Sequence, residues 1–205
     1  MENRKAIQSV DLCCNIAHCT SAAMFCNKTR LYVGLYVRGG SPKMSGKEDT
    51  YHWALLSGPK RDPKSGYQYT MYHVKAKLVV DGEPRVARSE WEYSAECDRS
   101  SMLLARIVVA KVCNLQRLER ILRQVPLRPD KEGWNCVAWV REAIHLASLD
   151  ADALGSRVDD WDAIRDKAMW YIDQKKSSHR FDGLGKFDIS KPATWDMLQD
   201  RELVI

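Results

Sequence analysis

No apolar run in this chain approaches the roughly 20 residues that a membrane-spanning helix needs, so no membrane span is expected. Charge of one sign is also scarce: 32 Lys and Arg face 27 Asp and Glu, and the surplus of five is scattered rather than gathered in a block. An electrostatic footprint for nucleic acid needs basic residues clustered on one face, so no specific nucleic-acid partner is expected. The N-terminus starts basic, but Asp11, Asn15 and His18 interrupt the apolar core of a secretory signal. There is no internal repeat and no low-complexity block.

Paired C-x-x-C knuckles are missing as well. The seven cysteines are an odd number, which a disulfide framework cannot use up, and reduced thiols in a cytoplasmic protein fit better. Four of them, Cys13, Cys14, Cys19 and Cys26, stand near His18, and thiolate and imidazole are the ligands zinc prefers. An adjacent pair followed by gaps of four and six residues does not make the common zinc spacing, so neither metal nor cofactor is expected. Residues 1–28 read as a flexible or helical extension, and residues 29–205 as one domain.

After residue 28 the composition turns strand-like. "LYVGLYV" (31–37) is rich in β-branched and aromatic residues and stops at Gly39 and Gly40. "YHWALL" (51–56) and "GYQYTMYHVKAKLVV" (66–80) flank "SGPKRDPKS", a turn composition, so they read as a β-hairpin. "RSEWEYSAE" (88–96) and the nearly all-apolar "MLLARIVVAKV" (102–112) complete about five strands. The period then changes. Leu115, Leu118, Ile121, Leu122 and Val125 recur at helical spacing behind Asn114 as N-cap, and Pro126 and Pro129 end the run. A second helix opens behind Asn135, and a third runs through "VDDWDAIRDKAMWYIDQKK". From Ser177 the chain is expected to wrap the surface, pinned by Phe181, Phe187 and Trp195. Strands followed by helices make an α+β class, an antiparallel sheet packed on helices.

Chemistry enters at "GWNCVAWV", which puts Cys136 at the first position of a helix. There the helix dipole favours thiolate, and the cysteine's own N–H is available to a developing oxyanion. A nucleophilic thiol needs a base and a group that orients the base. With the hairpin turn centred between Asp62 and Pro63, His52 falls directly opposite His73, so His52 is the candidate base and His73 its orienting partner. Trp134 and Asn135 are candidates to wall a substrate cleft, and Tyr36 and Tyr51 to donate to an oxyanion. "DDWD" offers Asp159, Asp160 and Asp162 to a divalent ion, or simply places acids in a helix's first turn. Taken singly, each residue has a plainer reading: a free cysteine is more often packing, and a strand histidine more often a satisfied core residue.

"HWAL" on a strand, a second histidine on the next strand and "NC" opening a later helix resemble the circularly permuted papain-like fold of the NlpC/P60, lecithin:retinol acyltransferase-like and PPPDE peptidase groups. In those groups, as with His52 and Cys136, the histidine precedes the cysteine. "LYVGLYVRGG…YHWALLSGPK" is also similar to uncharacterised fungal proteins. The resemblance implies a thiol-dependent hydrolase or acyltransferase acting on a peptide, protein or acyl substrate through Cys136, His52 and His73, with an amide or isopeptide bond favoured. "NCVAW" lacks the glutamate and histidine that follow the acyltransferase cysteine, which leaves the substrate open. The alternative is a non-catalytic interaction module on the same scaffold.

Overall fold

The computed structural model describes residues 29–61, 69–81, 86–98 and 102–205. The possible zinc cysteines, His18 and the proposed extension lie outside them. The chain runs β1 (Thr29–Val37), a 3-10 turn (Glu48–Thr50), β2 (Tyr51–Pro59), β3 (Thr70–Asp81), β4 (Val86–Cys97), β5 (Leu103–Val112), α1 (Leu115–Arg123), α2 (Cys136–Ser148), β6 (Leu154–Arg157), α3 (Trp161–Ser177), β7 (Ala193–Asp196) and β8 (Arg201–Val204). The class is α+β, with one sheet ordered β4-β3-β2-β1-β5-β7-β8 and β6 paired to β5.

Alternation along the central strands explains why they read as unbroken apolar runs. Leu31, Val33, Leu35, Tyr51, Trp53, Leu55, Tyr72 and Val74 face the helices, where they pack with Cys136, Trp139, Val140 and Ile172. The intervening Tyr32, Tyr36, Ala54, Leu56, Met71 and Val108 build a second, smaller core on the other face. Strands buried on both faces have no polar side to show. The caps also follow from sequence: the side chains of Asn114, Asn135 and Asp160 accept backbone N–H groups at the starts of α1, α2 and α3, each satisfying donors that have no partner inside the helix.

Two expectations need correction. The sheet has eight strands among the described residues rather than about five. The additional ones, β6, β7 and β8, are four residues each, too short to carry a periodic signal. The C-terminal segment therefore does not merely wrap the surface. Trp195 lies on β7, which runs parallel to β5 and makes the sheet mixed, and β8 closes the edge.

The second correction is the hairpin register. Leu55 pairs with Tyr72, Leu56 with Met71 and Ser57 with Thr70, a displacement of two residues from the expected pairing. Continued outward, this register sets Ala54 against His73, so His52 stands diagonal to His73 instead of opposite. An even displacement keeps a side chain on its face, whereas an odd one reverses it. The ladder between β2 and β3 also stops at Leu55 and Tyr72, although both strands continue, and α2 packs against both of them.

Candidate active site

The diagonal pair is in contact. His52 Nε2 lies 2.7 Å from His73 Nδ1, with the rings edge to face and centroids 5.0 Å apart. His73 Nε2 in turn lies 2.9 Å from Glu96 Oε1. Glu96 is supplied by β4: Ser94 is the cross-strand partner of His73, and Glu96 sits two residues further along the same face. Lys75 Nζ is 3.9 Å from the same carboxylate oxygen. Nδ1 of His52 has no hydrogen-bond partner among the described residues.

Electrostatics keep both rings neutral near pH 7. Burial, reinforced by His73 and by Arg38, lowers the His52 pKa to about 4. Burial lowers His73 as well, against the opposing pull of Glu96. The pair opens to a cavity of about 480 Å³ lined by Tyr36, Met71, Glu96, Cys97 and Met102 among others. Tyr36 pairs across the β1–β2 ladder with His52. Its hydroxyl donates to Asp98 Oδ2 at 2.7 Å, so its single proton is already engaged and is not offered to an oxyanion.

Cys136 opens α2 as expected, held by Asn135, whose Oδ1 accepts the N–H groups of Val137 at 2.9 Å and Ala138 at 3.3 Å. The residue is only 3% exposed. The backbone N–H groups of Trp53, Val137 and Cys136 itself and the field of Arg38 all favour the thiolate. Burial outweighs all of these and pushes the thiol's pKa up. Cys136 packs with Trp53 on the helix side of the sheet, whereas His52 and His73 share the parity of Tyr36, Ala54 and Met71 and project from the opposite face. No hydrogen bond joins the thiol to His52; the link between them is the chain itself, since Trp53 follows His52.

The other candidates, Trp134, Asn135 and Tyr51, lie on the helix side of the sheet with Cys136. Trp134 and Asn135 line a cleft of about 730 Å³ with Met44, Arg141 and Trp161. Trp134 is buried edge-to-face against Trp91, with ring centroids 5.1 Å apart, and its indole Nε1 has no partner among the described residues. Tyr51 lies in the helix-side core with the Lys176 ammonium 4.8 Å above its ring, apart from the imidazole pair. Of the "DDWD" acids, Asp160 caps α3, Asp162 pairs with Arg165 at 2.8 Å, and Asp159 approaches Arg157 at 3.9 Å.

Sequence reasoning missed Glu96, Asp98 and Arg38. Glu96 belongs to a run read only as a strand, and its role depends on β3–β4 pairing across residues that give no register signal. Arg38 follows β1, shares its parity with Tyr36, and donates to the Asp49 carbonyl at 2.9 Å, which fixes the charge near both the thiol and His52. No helix among the described residues is long and apolar enough to cross a membrane. No curated protein and no solved structure matches the chain. The chain belongs to DUF6914, a family of unknown function whose model matches residues 28–204.

Proposed function

We propose that this DUF6914 chain is a thiol-dependent acyl-transfer enzyme, with Cys136 as nucleophile, His52 as general base and His73 orienting the base. One observation carries the reading. Cys136 opens α2 packed in one core with Trp53, and the residue before Trp53, His52, has Nε2 engaged by His73 and Nδ1 without a partner among the described residues. Because Cys136 lies on the helix face of β2 and His52 on the opposite face, the reaction requires the His52 end of β2 to move so that imidazole and sulfur meet when substrate binds. A base and its nucleophile often stand apart until substrate binds, and then tighten. Because His52 is neutral and the thiol's pKa is raised, the resting pair is thiol and imidazole rather than thiolate and imidazolium.

The chemistry then balances. Sulfur attacks the carbonyl carbon as its proton passes to His52 Nδ1, and the carbonyl electron pair moves onto oxygen. The Cys136 N–H, which Asn135 leaves untaken, faces that oxyanion at a helix N-terminus. The tetrahedral adduct expels the amine, which takes the proton from His52, and a thioester remains. Water attacks the thioester, gives its proton to His52, and releases the acid as the thiol is restored; another acceptor in place of water makes the reaction a transfer. An amide or isopeptide bond is the favoured substrate. The deep burial of Cys136 favours a second reading, a non-catalytic interaction module on this scaffold. Exposure of the full chain to p-nitrophenyl acetate separates the two: acyl transfer requires a thioester on the Cys136 peptide by mass spectrometry, and the module predicts none.

A further inference from the structure

His52 accepts a thiol proton only if its Nδ1 carries a lone pair, and nothing in an isolated imidazole pair enforces that. A neutral imidazole has one N–H and one lone pair, so two of them in contact can run their hydrogen bond in either direction. In one direction His52 Nε2–H donates to His73 Nδ1, and His52 Nδ1 is basic. In the other, His73 Nδ1–H donates to His52 Nε2, and His52 Nδ1 carries a hydrogen and cannot act as base.

Glu96 breaks this symmetry. An ionised carboxylate only accepts, so the 2.9 Å contact with Glu96 Oε1 requires a hydrogen on His73 Nε2. His73 Nδ1 is then a lone pair, and the 2.7 Å contact must be donated by His52 Nε2. The Glu96 side chain is 46% exposed, and its Oε1 lies 3.9 Å from Lys75 Nζ. We propose that Glu96 is a positioning residue: acting through His73, it sets the tautomer of His52 and so leaves Nδ1 as the lone pair. This rests on the reading of His52 as base, but the tautomer itself is observable without any reaction.

The test is long-range 1H–15N correlation of the imidazoles in the full chain near neutral pH, for the parent and for Glu96→Gln and Glu96→Ala. The parent is expected to show hydrogen on Nε2 of both His52 and His73. In Glu96→Gln the amide can either accept from or donate to His73 Nε2, and in Glu96→Ala no acceptor remains, so in both the fixed tautomer gives way to a mixture. Acylation of Cys136 by p-nitrophenyl acetate should fall about tenfold or more in both, the usual scale for removing a group that orients an active imidazole. A parent with hydrogen on His52 Nδ1 overturns the proposal, as do variants whose tautomers match the parent's. A tautomer shift with no loss of Cys136 acylation overturns the link to the base. If the parent is never acylated, the enzyme reading fails while the tautomer result still stands or falls by itself. Glu96→Gln keeps a partner for the buried His73 ring and should hold the parent's unfolding midpoint, whereas Glu96→Ala strands that ring nitrogen and should lower it, which the same samples verify.

Discussion

His52 and His73 touch diagonally across two strands whose mutual ladder, among the described residues, covers three residue pairs, none of which includes either histidine. Their contact is therefore made by side chains reaching over a parting in the sheet, and the helix bearing Cys136 packs against both parted strands. The candidate site is a consequence of that parting. Where backbone pairing ends, both strands offer an imidazole on the face opposite α2.

Removing the base should be felt at one cysteine only. In His52→Ala, acylation of Cys136 should fall by roughly 10²-fold, the low end of what a positioned base contributes. Alkylation of the exposed Cys97 and Cys113 by iodoacetamide in the same sample should change little. Peptide-level mass spectrometry reads all three, and an equal fall at every cysteine would indicate lost structure instead.

Acid should destabilise the fold through the imidazole pair. The folded pKa of His52 is depressed to about 4, against roughly 6.5 in an unfolded chain. Between those values the unfolded state binds more protons, so the stability contributed by the neutral histidine is full above about pH 6.5 and is lost as pH falls through about 4. The shift corresponds to on the order of 3 kcal/mol. His73 acts in the same direction. Denaturant unfolding at several pH values should show stability falling across this window, and His52→Phe should flatten the slope.

The α2 cap separates stability from reactivity. Asn135→Ala removes the acceptor for the N–H groups of Val137 and Ala138 and should cost about 1 kcal/mol. Asn135→Asp keeps an acceptor but sets a negative charge beside the thiol, so it should preserve the melting temperature while slowing Cys136 acylation. Thermal unfolding and the acylation rate, measured on both variants, check the two halves.

Two buried indoles should respond differently to the loss of their N–H. Trp53 Nε1 donates to the Glu48 carbonyl at 2.8 Å, so Trp53→Phe should cost about 1–3 kcal/mol by stranding that carbonyl. Trp134 Nε1 has no partner among the described residues, and Trp134→Phe should be near neutral in stability. Unfolding midpoints in denaturant give the comparison.

Much of this was legible in the chain because local chemistry and tertiary role agreed. The caps at Asn114 and Asn135, the apolar faces behind them and the two-sided burial of β1 and β5 all follow from spacing. The register of β2 and β3 did not, because turn composition locates a hairpin without counting its residues, and it came out two residues away. His52 and His73 survived that error only because the displacement was even. Glu96 was invisible for a different reason: its partner is set by β3–β4 pairing, and a carboxylate in a run of alternating charges looks like a solvated strand face. The C-terminal hairpin was missed because four-residue strands in polar sequence are stabilised by the sheet edge they join rather than by their own pattern.

The central claim is that Cys136 becomes acylated with the help of His52. The most direct measurement is the time course of the thioester on the Cys136 peptide after mixing the full chain with p-nitrophenyl acetate, in the parent and in His52→Ala. The account predicts a thioester at Cys136 that forms and then decays by hydrolysis in the parent, and forms roughly 10²-fold more slowly in the variant. No thioester on Cys136, or equal rates in the two proteins, would contradict it.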